Sequence, residues 1–319
     1  MEINLRHKIE RNIENYFPGK NFSLKSVTQV TTKPKSYVYN ALIVNSKGEH
    51  KKIYIKKIGD NKKNGLNEIL NLKDDWEKIL TPRIIDYFEE DNVVLSQGVN
   101  GDTLSKNLLL YSFRLGGKVR ETRLVECAEK IGKAIGFLHR STEKGSGKIG
   151  EMNIYLVEQF ETTEYFRKIL GNNSWSKIQK RVESLKNETT KLVQFHGDLS
   201  PHNILLNKED VFLLDFSYLY NAIFLDPVLF TVSLELMRGR FPLLLDSIIS
   251  KMKKEFINSY QMASNEVWDK DTWMIFELLA FLHILLKYET RIKNIKNNIV
   301  AMTDKRYIMN KINSFSKSL

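Results

Sequence analysis

Residues 196–215 constrain the chain more than any other stretch. His196-Gly197-Asp198-Leu199-Ser200-Pro201-His202-Asn203 runs into Ile204-Leu205-Leu206. The polar turn Asn207-Lys208-Glu209-Asp210 follows, then Val211-Phe212-Leu213-Leu214 and Asp215. Two short apolar runs separated by a polar four-residue turn predict a β-hairpin, with one loop leading in and another leaving. The loops carry the chemistry. Asp198 stands shortly before Asn203 and Asp215 follows the second run, so the hairpin brings two carboxylates and an amide oxygen toward one site. That set suits phosphoryl transfer. One carboxylate orients an attacking hydroxyl and accepts its proton, while the amide and the second carboxylate hold Mg²⁺ on nucleotide phosphates. A surface hairpin whose Asp and Asn residues merely make turns would account for Asn207 and Asp210. It leaves three further polar residues set against apolar strand ends, where burial demands partners.

The ordered run His-Gly-Asp-Leu-x-Pro-x-Asn, a strand pair and a following Asp resembles the catalytic core of the aminoglycoside phosphotransferase and choline kinase family. The resemblance spans roughly residues 20–230, with its specific motifs in 196–227. It implies an α+β, two-lobed, protein-kinase-like fold with a small β-rich N-lobe and a larger, mainly helical C-lobe. Residues 1–98 would form the nucleotide-binding lobe and 99–319 the catalytic and substrate-binding lobe. Asp198 would be the base, Asn203 and Asp215 the Mg²⁺ ligands, and His196 a support of the loop. Only ten residues separate Asp215 from Asp226, too few for the activation segment of protein kinases, and Ser200 occupies the place of their catalytic-loop Lys. Both departures favour a small-molecule acceptor. The family usually has another Asp soon after its Asp-Pro, where this chain carries Phe230; His202 replaces a commonly small residue, and no chemistry is assigned to it.

At 319 residues the chain is long enough for two packed units. Cys127 is the only cysteine, which excludes an internal disulfide, points to a reducing compartment and, in a helical pattern, to a core position. The N-terminal residues lack the apolar segment and cleavage site of a secretory signal, so a cytoplasmic location is expected. The longest apolar stretch, Trp273 to Tyr288, contains Glu277 and His283 and is shorter than the ~20 residues a bilayer crossing needs. A net charge of +11 attracts polyanions in general, yet the lysines are spread along the whole chain. No basic block or aromatic-basic motif marks specific nucleic-acid binding.

From the N-terminus, Leu5, Ile9 and Ile13 predict a short amphipathic helix stopped by Pro18-Gly19. Phe22 to Lys25 and Tyr37 to Val44 read as strands. Between them, Thr31 to Ser36 stands where the resemblance places a phosphate-covering turn. The protein-kinase glycine-rich signature is absent, so any grip falls to backbone amides, the Ser36 hydroxyl or the lysines; an ordinary hairpin turn is the alternative. Lys51 to Lys57 alternates as a third strand. The resemblance assigns a Lys there to the α- and β-phosphates: Lys56, on the face opposite Ile53 and Ile55, or Lys57 if the register slips by one. Leu66, Ile69, Leu70, Trp76 and Leu80 trace one helix carrying Glu68, the partner the resemblance gives that lysine. Ile84 to Phe88 and Val93 to Leu95 form another hairpin. Ser96 to Gly101 then resembles an interlobe hinge in which backbone groups of Gln97 and Val99 pair with adenine, a plain linker being the rival reading.

Leu124, Ala128, Ile131, Ile135 and Leu138 keep one helical face, with His139 structural near its end. Ser141 to Gly150 is a loop, 152–190 are further helices, and helices fill most of 228–318. Asp226 caps or braces the loop rather than touching substrate. The chain thus resembles a Mg²⁺-dependent kinase using ATP or GTP, acting on a hydroxyl of a sugar, amino alcohol, metabolite or aminoglycoside-like antibiotic. Glu151, Glu158, Glu161 and Glu164 are available as an acidic patch for a cationic acceptor. A catalytically silent nucleotide-binding scaffold is the alternative, against which the intact Asp198, Asn203 and Asp215 argue.

Overall fold

The computed structural model describes residues 2–30, 38–72, 75–113, 117–152, 164–208, 210–268, 270–291 and 299–318. The chain divides into two compact units, Met1–Gly101 and Asp102–Leu319. In the first, α1 (Glu2–Tyr16) precedes β1 (Phe22–Gln29), β2 (Val38–Asn45), β3 (His50–Lys57), β4 (Ile84–Phe88) and β5 (Val93–Gln97). The strands form an antiparallel sheet of order β1-β2-β3-β5-β4. Period-two alternation explains its core: Tyr39, Ala41 and Ile43 of β2 and Ile53 and Ile55 of β3 are buried together with Leu5, Ile9 and Ile13 of α1. The amphipathic stripe of α1 therefore covers one face of the sheet, as its four-residue spacing predicts.

The single helix expected over Leu66 to Leu80 is two. Lys63–Asn71 forms α2 and Trp76–Ile79 forms α3. Asp75 starts the second piece with its carboxylate 2.5 Å from Lys78, and Leu80 closes it at φ +53°. Asp is poorly placed inside a helix and well placed at its start. The expected turn Thr31 to Ser36, and Tyr37 after it, lie outside the described residues.

In the second unit, β6 (Asp102–Thr103) leads into α4 (Leu104–Ser112) and α5 (Gly117–Ser141). Then come β7 (Ser146–Lys148), α6 (Glu164–Leu170), α7 (Asn172–Lys186), β8 (Thr189–Phe195), β9 (Ile204–Asn207), β10 (Asp210–Leu213) and β11 (Leu219–Ala222). Four helices follow: α8 (Leu225–Arg240), α9 (Pro242–Ser264), α10 (Lys270–Arg291) and α11 (Ile299–Ser318). The 196–215 stretch forms the expected hairpin, Ile204 facing Leu213 and Asn207 facing Asp210. Two small sheets hold it and its surroundings, of order β10-β9-β6 and β11-β8-β7. The expected loop at 141–150 thus contains a strand, and the helical 152–190 segment gives way to β8 at Thr189. Glu158 and Glu161 lie outside the described residues; Glu151 and Glu164 are exposed.

Helices α5 and α9 meet closely because α5 carries Gly132 and Gly136 one turn apart. A Cβ on Gly132 would fall 2.5 Å from Phe256 O, and one on Gly136 2.8 Å from Tyr260 O. Side chains larger than hydrogen would force the helices apart. Cys127 is buried in α5, where burial pushes its thiol up to about 12, so it behaves as a core apolar group. No helix among the described residues is long and apolar enough to cross a membrane.

Candidate active site

The loop 196–203 is built on a buried polar cluster. Asp226, in the first turn of α8, accepts from the backbone N–H groups of His196 (2.6 Å) and Gly197 (2.9 Å). The same carboxylate lies 3.1 Å from Nε2 of His139 near the end of α5, whose Nδ1 is 2.9 Å from the Tyr260 hydroxyl of α9. Tyr260 in turn donates to Ile223 O at 3.3 Å. His139, His196, Asp226 and Tyr260 are fully buried. Burial alone would raise the Asp226 carboxyl. The hydrogen bond and charge of His139 and the Gly197 N–H outweigh it and hold the group below the ordinary carboxylate range. Two helices packed at glycines therefore hold His139 between Tyr260 and the Asp226 carboxylate, and that carboxylate grips the loop. Asp226 braces the loop, as its position in the sequence indicates, and His139 lies buried in the same cluster.

Gly197 is demanded by this geometry. It sits at φ +86°, and a Cβ there would lie 2.7 Å from that of Ser217. Ser217 stitches the incoming and outgoing loops together: its N–H donates to His196 O (2.8 Å) and its hydroxyl to Phe195 O (2.8 Å). Phe216 packs against the His196 ring with centroids 4.4 Å apart, and Leu219 of β11 pairs with Phe195 of β8.

Within this frame Asp198 is exposed. Its N–H donates to His196 Nδ1 (3.3 Å), and its carbonyl accepts from Ser200 N (2.9 Å) and from Asn203 Nδ2 (2.9 Å). The amide nitrogen of Asn203 is thereby committed to the loop, and Oδ1 is its acceptor. Asn203 O receives the N–H of Leu214 (2.8 Å), the residue before Asp215. Asp215 is exposed and left-handed at φ +65°, a conformation Asp tolerates better than most residues and one that clusters at functional sites. Tyr218, also left-handed at φ +56°, is buried; burial, then the charge of Asp215, raise its hydroxyl above the ordinary phenol range. A continuous hydrogen-bonded path thus joins the segments carrying Asp198, Asn203 and Asp215.

The donor set is oxygen only, which matches a hard divalent cation. Among the described residues no group of three or more His, Cys, Asp or Glu could hold a metal, so such a cation would complete its shell with ligand oxygens and water. Mg²⁺ is commonly held in that way, by one or two carboxylates and substrate phosphates.

In the first unit Lys56 is half-buried near the end of β3, on the face opposite buried Ile53 and Ile55, while Lys57 is exposed. Glu68 is half-buried on α2, beside buried Leu66 and Ile69. Gln97 ends β5, and its N–H donates to Arg83 O (2.8 Å). An adenine contact at Gln97 would therefore fall to its carbonyl, which narrows the expected hinge role; Val99 follows, half-buried. Ser36 lies outside the described residues.

Ser105, Thr103 and Ser217 belong to the loop's support and were not singled out from the sequence. Their short polar side chains look like ordinary turn and cap residues. Strand β8 was also missed, although the β-branched and aromatic content of Thr189-Thr190-Lys191-Leu192-Val193-Gln194-Phe195 was a legible strand signal.

No family model matches the chain, and no curated protein matches it by sequence. Solved structures do match. A glucosamine kinase superposes with a TM-score of 0.59 over 97% of this chain and 99% of its own, at 9% identity. An amicoumacin kinase, solved with AMP-PNP and Ca²⁺, gives 0.58 over 98% and 95% at 12% identity. A choline kinase from Cryptosporidium parvum gives 0.53 over 100% and 96% at 14% identity. The chain has the kinase-like fold of these small-molecule kinases, a β-sheet N-terminal region followed by a helical C-terminal one. At such low identity the likeness is one of architecture.

Proposed function

We propose that this chain is a small-molecule kinase that moves the γ-phosphoryl group of ATP or GTP to an alcohol. The acceptor class is a hydroxylated small molecule: a sugar, an amino alcohol, another metabolite or an aminoglycoside-like antibiotic. One observation carries the reading: Asp198 and Asn203 are joined by a hydrogen bond within one braced loop, and Asn203 is bonded to the residue preceding Asp215, on a fold shared with kinases of glucosamine, amicoumacin and choline.

Asp198 orients the acceptor hydroxyl and takes its proton as the oxygen bonds to the γ-phosphorus. The bond from that phosphorus to the bridging oxygen breaks, and the nucleoside diphosphate leaves with that electron pair. Asn203 Oδ1 and the Asp215 carboxylate would hold Mg²⁺, which would offset phosphate charge. Lys56 pairs with the α- and β-phosphates and Glu68 orients it, while Gln97 and Val99 meet the base and Ser36 the phosphates. Positioning and electrostatic stabilisation supply most of the rate, because the loose transition state asks little covalent help of the protein.

A panel of hydroxylated metabolites and antibiotics, scored for MgATP and MgGTP consumption, tests the reading and finds the acceptor. With that acceptor, Asp198→Asn should lose about 10²–10⁴ in turnover while binding MgATP nearly as the parent does. Near-normal turnover would refute the assignment of the base.

A further inference from the structure

The peptide before Asn203 is held from outside its own loop. Ser105, the second residue of α4, donates its backbone N–H to Pro201 O (3.0 Å), and its hydroxyl lies 3.0 Å from His202 Nδ1. The same hydroxyl is 2.9 Å from Thr103 Oγ1, which accepts the N–H of Lys106 (3.2 Å) as the N-cap of α4. Just beyond Asn203, Asp102 and Thr103 pair with Leu206 and Leu205. The segment Asp102–Ser105 thus brackets Asn203, gripping Pro201 and His202 on one side and β9 on the other. Ser105 is buried and His202 exposed, so the imidazole closes the buried hydroxyl chain at its solvent end. A smaller residue at 202 would remove this link and leave the loop to its internal bonds.

We infer that His202 and Ser105 form a latch that sets the position of Asn203 for metal-nucleotide binding, His202 serving as a positioning residue. This deepens, and rests on, the assignment of Asn203 as a metal ligand. The latch works by restricting the backbone at 201–203. Its loss costs affinity for the metal complex of the nucleotide, and affinity for the nucleotide alone is unaffected.

The experiment uses the full chain and the variants Ser105→Ala, His202→Ala, the double variant and His202→Asn, whose amide can reach the place of Nδ1. Hydrogen exchange of the Asn203 and Leu214 amides, measured without nucleotide, should quicken severalfold in each alanine variant and no further in the double, with α9 unchanged. Calorimetry should show MgATP binding about threefold to tenfold weaker, the range expected for one hydrogen bond. Metal-free ATP should bind as in the parent, and His202→Asn should recover most of the loss. Unchanged exchange, additive effects in the double variant, or equal losses with and without Mg²⁺ would overturn the latch. A parent chain that binds no MgATP would instead remove the kinase reading, and exchange alone would then decide whether the latch holds the loop.

Discussion

Asp226→Asn puts an amide where two carboxylate oxygens serve three donors. Oδ1 accepts from Gly197 N, and Oδ2 accepts from His196 N while facing His139 Nε2. Whichever way the amide turns, its NH₂ faces one of the two backbone N–H groups. A buried donor left without an acceptor costs about 1–3 kcal/mol, and exchanging a charged acceptor for a neutral one weakens the surviving bond by about 1 kcal/mol. The expected loss is about 2–4 kcal/mol, a large part of the ~5–15 kcal/mol that stabilises a typical domain. Tyr260→Phe is the comparison, because it removes one hydroxyl at the edge of the cluster and should cost about 0.5–1.5 kcal/mol. Urea denaturation reads both through the midpoint, provided the slope is unchanged. The sign with pH also follows. The folded-state pKa of Asp226 is depressed, so its contribution is present above the ordinary value of 3.8 and is lost as pH falls through the folded value. A loss below about 0.5 kcal/mol in Asp226→Asn, or a Tyr260→Phe cost as large, would refute the account of the brace.

Gly197→Ala forces a Cβ into a left-handed position 2.7 Å from the Cβ of Ser217; about 1–2 kcal/mol of backbone strain and ~1–3 kcal/mol of overpacking are expected. Adding Ser217→Gly relieves the packing part but also deletes the hydroxyl bond to Phe195 O, so recovery in the same denaturation assay should be partial. Asp215→Asn should weaken MgATP binding in calorimetry and leave metal-free ATP binding unchanged, separating it from Asp198→Asn. Glu235 is raised by burial but brought down to about 2 by Lys253, Tyr307 and Lys311. Its contribution is therefore present above 4.5 and lost as pH falls toward 2. Urea midpoints across that interval should fall less steeply in Glu235→Gln than in the parent.

The β9–β10 hairpin, the stripe of α1, the alternation of β3 and the face of α5 were legible because each writes its period into consecutive residues. So was the order Asp198, Asn203, Asp215, whose residue types match the chemistry. The single helix over 66–80 was misread because its apolar spacing continues past Asn71, where α2 ends, to Asp75, which starts α3. β8 carries a β-branched and aromatic strand signal that was passed over at the end of a helical stretch, and the two-residue β6 is too short to show a period at all.

The sequence by itself determined which residues can hold metal, move a proton and turn the chain, since those properties belong to single side chains and short spacings. Tertiary structure decided what makes them a site. Asp226 meets His196 and Gly197 across 30 and 29 positions, His139 reaches Asp226 across 87 and Tyr260 across 121, and Ser105 reaches His202 across 97. A hydrogen bond between residues so far apart leaves no local pattern. It forms because Gly132 and Gly136 let two helices approach and because sheet pairing carries α4 to the loop, and both are outcomes of packing the whole unit.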